Sequence, residues 1–260
     1  MGKVISIVNQ KGGVGKTTTS INLSASLAVL GKRVLLVDLD PQGNTTIGVG
    51  INKAEINKSI YEVLIGDCNI RDAIIETKYN NFYLISSVLF LAGLGNELNE
   101  KRRQDSKFNK QAQLKNCISE IKEEYDYIIL DCPPSLDLIT INSLTASDSV
   151  IIPVQCEFYA LEGIAQLLET IMLTQKTLNQ SLEIEGILLT MYDARTNLGF
   201  EVVQTVRRNF KEKVYNTIIP RLVRLTEAPS HAEPIINYDS RSKGAEAYLN
   251  LAKEVVERNI

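Results

Sequence analysis

At 260 residues, with 44% hydrophobic and 23% charged positions, the chain has the profile of an ordinary globular protein able to bury a sizeable core. Its formal net charge of −3 gives no global sign of nucleic-acid binding, so any such contact must rest on a local patch. The four cysteines, Cys68, Cys117, Cys132 and Cys156, form no C-x-x-C pair, which argues against zinc and fits a reducing cytosol. No signal-peptide pattern and no apolar run of membrane length is present, so a cytoplasmic protein is expected.

Short runs rich in Val and Ile alternate with longer amphipathic stretches, the pattern of βαβ units. In chain order the reading is strand Val4–Val8, helix Lys16–Leu30, strands Val34–Asp38 and Phe82–Ser86, and a helix over roughly Lys110–Glu124. Strand Tyr127–Asp131, strand Ser149–Val154, helix Ala160–Leu178, strand Ile184–Thr190 and helices Phe200–Phe210 and Arg241–Arg258 complete it. The expected fold is α/β, a mostly parallel twisted sheet with helices on both faces. Residues 96–113, NELNEKRRQDSKFNKQAQ, are polar and charged and read as a solvated helix or loop. No repeat or linker divides the chain, so residues 1–260 are expected to form one domain.

The strongest local signal is Asn9-Gln10-Lys11-Gly12-Gly13-Val14-Gly15-Lys16-Thr17-Thr18, set between the first strand and the first helix. A glycine-rich loop that opens a helix presents backbone N–H groups and the positive end of the helix dipole, so it binds polyphosphate. Lys16 would reach the β- and γ-phosphates, and the Thr17 hydroxyl would ligate Mg²⁺. The strict P-loop pattern would place glycine at position 10; here Gln10 stands there and a second lysine, Lys11, opens the loop.

Such a site also needs acids at the ends of neighbouring strands. Two apolar runs end that way: Val34–Asp38 leads into Leu39-Asp40-Pro41-Gln42-Gly43-Asn44, and Ile128-Ile129-Leu130-Asp131 leads into Cys132-Pro133-Pro134. Alone, either aspartate would more often be a cap or turn former. Beside the phosphate loop, Asp131 reads as a Walker B carboxylate that holds Mg²⁺. Asp38 is left between a site role and a structural one. His231 is the only histidine, which excludes a histidine-rich metal site.

The loop resembles the deviant Walker A motif, KGGxGKT[ST], of the ParA/MinD family of ATPases. Asp131-Cys132-Pro133-Pro134-Ser135, Pro153–Glu157 with Ala160–Gly163, Thr190–Asn197, Pro220–Ser230 and Tyr238–Ala245 extend the resemblance to the ParA/Soj branch over nearly the whole chain. It implies that ATP and Mg²⁺ bind through Lys11, Gly12, Gly13, Val14, Gly15, Lys16, Thr17 and Thr18. It also implies that Lys11 crosses a homodimer interface to the partner's nucleotide, and that Asp40 is a metal residue with Thr17 and Asp131 and polarises the attacking water. Pro220 and Leu222 would lie against the adenine, although relatives usually carry Asn where Leu222 stands. Residues 86–113 also depart from the family pattern and appear longer than usual.

From Thr190 to Leu225 the basic residues Arg195, Arg207, Arg208, Lys211, Lys213, Arg221 and Arg224 outnumber Asp193, Glu201 and Glu212. Alone this is a solvated basic face. The resemblance makes Arg195 and Arg224 contacts to nonspecific double-stranded DNA, in a nucleoid-associated protein whose hydrolysis is slow and stimulated by a ParB-type partner. Rival readings are a MinD-like membrane-positioning ATPase, an ATPase that positions a protein cargo, an iron–sulfur electron-transfer protein and a non-enzymatic scaffold. The mixed-sign tail 246–258 opposes membrane binding, and Cys132 sits too near the nucleotide to ligate a cluster.

Overall fold

Parallel strands covered on both faces must be apolar at nearly every position, which is why their sequences run as unbroken Val/Ile/Leu segments rather than alternating ones. The computed structural model describes residues 2–157 and 160–259, and the side chains of these except at 160–163. Its strands are β1 Lys3–Ile7, β2 Val34–Asp38, β3 Ile74–Glu76, β4 Phe82–Ile85, β5 Tyr127–Asp131, β6 Ser149–Gln155 and β7 Glu183–Thr190. They form one seven-stranded sheet in the order β3-β4-β2-β5-β1-β6-β7, parallel except for the antiparallel edge strand β3.

The helices are α1 Lys16–Val29, α2 Asn44–Gly48, α3 Ile60–Ile65, α4 Leu94–Gln104, α5 Gln113–Ser119 and α6 Leu138–Ala146. They continue with α7 Ala160–Thr177, α8 Asn197–Phe210, α9 Val223–Glu227, α10 Ile235–Tyr238 and α11 Lys243–Arg258. Successive strand residues point to opposite faces, and the two cores record it. Val34 and Leu36 of β2 join Ile21, Leu23, Leu27, Tyr248 and Leu251 from α1 and α11. Leu35 and Val37 join Leu64, Leu98, Leu114, Ile139, Ile171 and Val206 from α3 through α8.

The parallel α/β expectation therefore holds, with β2 and β5 at the expected limits and the other expected strands within one residue at each end. Several elements lay outside it, among them β3 and α6, and the expected helix over Lys110–Glu124 is α only over Gln113–Ser119. β3 is three half-exposed residues at the sheet edge, too short to show a period. Helix α6, LITINSLTA, is buried nearly all round, so no amphipathic stripe marks it; its legible signal is Asp137, whose Oδ1 accepts from Ile139 N at 3.0 Å as an N-cap. The charged 96–113 stretch resolves mainly into α4, a solvated helix anchored by buried Leu94 and Leu98 one turn apart.

Candidate nucleotide-binding site

Register places Ile7 opposite Asp131, and Asp131 opposite Asp38, so the C-terminal ends of β1, β5 and β2 lie side by side. The loop leaving β1 is pinned to β6 and β7. Asn9 donates from Nδ2 to Pro153 O at 2.8 Å, and its Oδ1 accepts from Lys11 N at 2.9 Å. Thr190, at the end of β7, donates its hydroxyl to Val14 O at 2.8 Å. Gly13 (φ 75°) and Gly15 (φ 90°) adopt the left-handed conformation that lets the loop curl back before α1 begins.

Within this curl Lys16 is buried and donates to Lys11 O at 2.9 Å, so its direct partner is a carbonyl rather than a carboxylate. Burial pushes its ammonium below the usual lysine range, while Asp131, Cys132 and Asp40 pull it back up. Lys11 points away and stands 3.8 Å from Glu157 Oε2, both side chains being well exposed. Gly12 and Gly13 are exposed at the crown.

Asp131 has no solvent exposure, and three hydroxyls converge on it. Ser20 donates to Oδ1 at 2.8 Å, and Thr17 (2.9 Å) and Thr45 (2.5 Å) donate to Oδ2. Burial raises its pKa, and these hydroxyls and Lys16 oppose the rise. Asp38 is also fully buried; burial, then the charge of Asp131, pushes it up to about 7. Its carboxylate accepts from Thr46 N (2.9 Å), Thr46 Oγ1 (2.7 Å) and Asp40 N (3.2 Å). Asp38 thus fastens the turn that carries Asp40, a structural placement. Asp40 is half-buried, its Oδ1 accepting from Gln42 N at 2.9 Å and its carbonyl from Gly43 N at 2.8 Å.

Of the three expected metal ligands, the structure brings Thr17 and Asp131 into direct contact and sets the third, Asp40, on the neighbouring turn. Hydroxyl and carboxylate oxygens are hard donors, which suit Mg²⁺ better than a thiophilic metal. Among the described residues no cluster of three or more His, Cys, Asp or Glu could hold an ion alone, and Mg²⁺ bound through one or two side chains plus substrate phosphates has no need of one. Sequence reasoning missed Asn9, Ser20, Thr45, Thr46 and Thr190 as supports; the small hydroxyl residues directly following the phosphate loop and the Asp40 turn were the available signal.

Beyond Thr18 lies a pocket lined mainly by apolar groups: Met191, Ile219, Pro220, Leu222, Leu225 and Tyr248. Pro220 and Leu222, the two residues assigned to the base, both line it. Tyr248 of α11 closes it from beneath, its OH 3.4 Å from Thr19 Oγ1. The two arginines assigned to DNA are exposed and already engaged. Arg195 forms a bidentate pair with Asp193 (2.9 and 2.7 Å). Arg224 pairs with Glu227 at 3.2 Å and Asp239 at 3.8 Å and lies over the Tyr238 ring. Cys132 is buried with its Sγ 2.9 Å from Ser143 Oγ, and burial pushes its thiol up to about 12, a structural setting rather than a ligating one.

A protein-family model described as an AAA domain matches residues 2–184. The chain is 58% identical to the sporulation initiation inhibitor protein Soj of Bacillus subtilis over 255 residues, 98% of each chain. It is 49% identical to the chromosome partitioning protein ParA of Myxococcus xanthus, covering 100% of this chain and 89% of the relative. The chain belongs to the ParA/Soj family of partitioning ATPases. The ParA/Soj fold also resembles cobyrinic acid a,c-diamide synthase of Mycobacterium smegmatis, solved with bound ADP and magnesium. That match has a TM-score of 0.85 at 36% identity and covers 98% of this chain and 94% of the other. No helix among the described residues of this ParA/Soj chain is long and apolar enough to cross a membrane. The Ala160–Gly163 part of the family resemblance lies outside the described side chains, although α7 begins there as expected.

Proposed function

We propose that residues 1–260 work as one nucleotide-timed DNA-partitioning switch. The observation that carries this reading is the convergence of the pinned lysine-rich loop, the Thr17–Asp131 pair and the Asp40 turn at one sheet edge. ATP binds with its phosphates on the loop and Lys16, while Thr17 and Asp131, with Asp40 nearby, hold Mg²⁺. Bound by these residues, Mg²⁺ would supply neutralisation of the negative charge on the phosphates.

The chain's own residues do the rest. Lys11 is exposed and free to swing from Glu157 toward the nucleotide of a second copy. Asp40 orients and polarises a water for attack on the terminal phosphate. Face-to-face dimerisation sets two basic patches side by side, so several weak phosphate contacts act together and nonspecific DNA affinity rises by avidity. Hydrolysis, accelerated by a ParB-type partner, removes the contacts that hold the dimer and releases DNA. The protein then resides in the cytoplasm, on the nucleoid when ATP-bound. Arg195 and Arg224 exchange their acidic neighbours for DNA phosphates.

The deciding experiment measures binding to a random duplex with no nucleotide, ADP or ATP, at rising salt, for wild type and for Arg195→Ala and Arg224→Ala. Tight binding only with ATP, weakened in both variants, is expected, with log K falling by about 0.9 per log salt for each phosphate contact. Asp40→Ala is expected to trap the DNA-bound dimer and Lys16→Ala to abolish nucleotide binding. ATP-driven dimerisation without DNA affinity would overturn the DNA assignment and move the target to a protein cargo or membrane. An Asp40→Ala protein that hydrolyses ATP at the wild-type rate would remove Asp40 from catalysis.

A further inference from the structure

Helix α2 follows the Asp40 turn directly and is only five residues long, too short for its own backbone bonds to hold it. Two consecutive threonines, both without solvent exposure, tie it to the sheet. Thr46 donates from N (2.9 Å) and Oγ1 (2.7 Å) to Asp38 Oδ2, at the end of β2. Thr45 donates from Oγ1 to Asp131 Oδ2 at 2.5 Å, at the end of β5. Register sets the two acids opposite each other, so one short helix is stitched to two adjacent strand ends.

The stitches differ in what else their acids do. Asp38 also accepts from Asp40 N, so its bonds stay within the turn. Asp131 is the expected metal carboxylate, and its Oδ2 is shared, accepting from Thr17 at 2.9 Å as well as from Thr45. A carboxylate oxygen offers about two lone-pair sites, so both on Oδ2 are filled, while Ser20 holds Oδ1. A hydroxyl has one donor and two acceptor sites, so Thr17 can turn its oxygen to a cation and keep its proton on Asp131. Thr45 reaches the site through its donor alone. It therefore spends on Asp131 the negative charge that a cation would use.

We propose that Thr45 is a positioning residue of the switch, whose hydroxyl competes with Mg²⁺ for Asp131 Oδ2 and so passes metal occupancy along α2 to the turn that carries Asp40. Thr45 acts in this way only if Thr17 and Asp131 hold the metal as read above. The turn is closed by Gly43 N donating to Asp40 O at 2.8 Å, and Ile47 N donates to Gly43 O at 3.3 Å, so turn and helix move together. Thr46 keeps α2 on β2 when Thr45 lets go, which makes the motion a tilt about one stitch rather than a loss of the helix.

Calorimetric titration of Mg²⁺ into the ADP-loaded chain tests this without relying on turnover. Thr45→Val keeps the shape and removes the donor. It is expected to bind Mg²⁺ about 10-fold more tightly than wild type, since one hydrogen bond to a charged group no longer has to be given up. Thr45→Ser keeps the hydroxyl and is expected to match wild type. A packing role would give the reverse, with Val silent and Ser altered, and overturns the proposal, as does weaker binding in Thr45→Val. Wild type that takes up no Mg²⁺ with ADP overturns the metal reading and this proposal with it. Amide exchange over residues 43–49 reads the coupling to the turn. Adding Mg²⁺ is expected to change exchange there in ADP-loaded wild type and to leave it unchanged in Thr45→Val; an equal change in both removes Thr45 as the link. Should Thr45→Val fail to fold, Thr45→Ala lacks the same hydroxyl and carries the same expectations.

Discussion

Thr190 illustrates how a single hydroxyl serves the site without touching its chemistry. It ends β7, two strands away from the loop-bearing β1, yet its Oγ1 holds Val14 O and so fixes the far wall of the phosphate loop. Replacing it by the near-isosteric Val leaves a buried carbonyl without its partner, at a cost of about 1–3 kcal/mol. Thr190→Val is expected to lower urea stability by that amount and to weaken ATP binding, and a variant with wild-type values in both would show the loop to be held elsewhere. Asn9 makes the matching tie to β6, so the loop is braced from the two strands on one side of β1. The acids lie on its other side, where Asp38 and Asp131 divide the labour: one fastens a turn, the other collects hydroxyls where the metal would sit.

At the scale of the element, the same logic decides which helices were legible. α1 and α11 announce themselves, α1 by its position after the glycine loop and α11 by its amphipathic face; the structure starts α11 at Lys243, two residues later than expected, with Ser242 as its cap accepting from Ala245 N at 3.2 Å. α6 has no polar face and hangs on Asp137. Asp137→Ala is expected to cost about 1 kcal/mol in chemical denaturation; no loss would mean that packing alone holds its first turn. α11 is joined to the chain after β7 by Glu254, which accepts from Asn216 N at 2.8 Å and Thr217 N at 3.1 Å and pairs with Arg258 at 2.9 Å. Burial alone would raise this carboxyl, but those bonds outweigh it and hold it below the usual glutamate range. A depressed carboxyl stabilises the fold above its unfolded value and loses that contribution as pH falls through the folded one. The stability gap between wild type and Glu254→Gln should therefore be constant at neutral pH and shrink below about 4.5. A gap that widens on acidification would contradict the assignment.

Over the whole molecule, the parallel order places every candidate nucleotide contact on one edge, so ligand binding should be felt as global stability. If the fold unfolds as a unit, ATP with Mg²⁺ at a hundred times its dissociation constant should add about 2.7 kcal/mol, and Lys16→Ala should erase the gain. Stabilisation that survives in Lys16→Ala would place the nucleotide elsewhere. The strand runs, the phosphate loop and both strand-end acids were legible because each is a contiguous pattern with one physical cause. Ser20, Thr45 and Thr190 were not, because their partners are a carboxylate and a carbonyl far along the chain that only the sheet order brings near; Thr46 reaches Asp38 locally, around the turn that carries Asp40. Arg195 and Arg224 were legible as charge, but not as arginines held by Asp193, Glu227 and Asp239.

Tyr248 belongs to the last helix and yet lines the pocket beside Thr18. The chain has ten tyrosines and no tryptophan, so its ultraviolet emission is tyrosine emission, undrained by energy transfer to an indole. A fully buried phenol lining the proposed base pocket is thus a native optical reporter of nucleotide binding there. Occupancy can be followed by quenching without attaching a dye, and Tyr248→Phe supplies the blank.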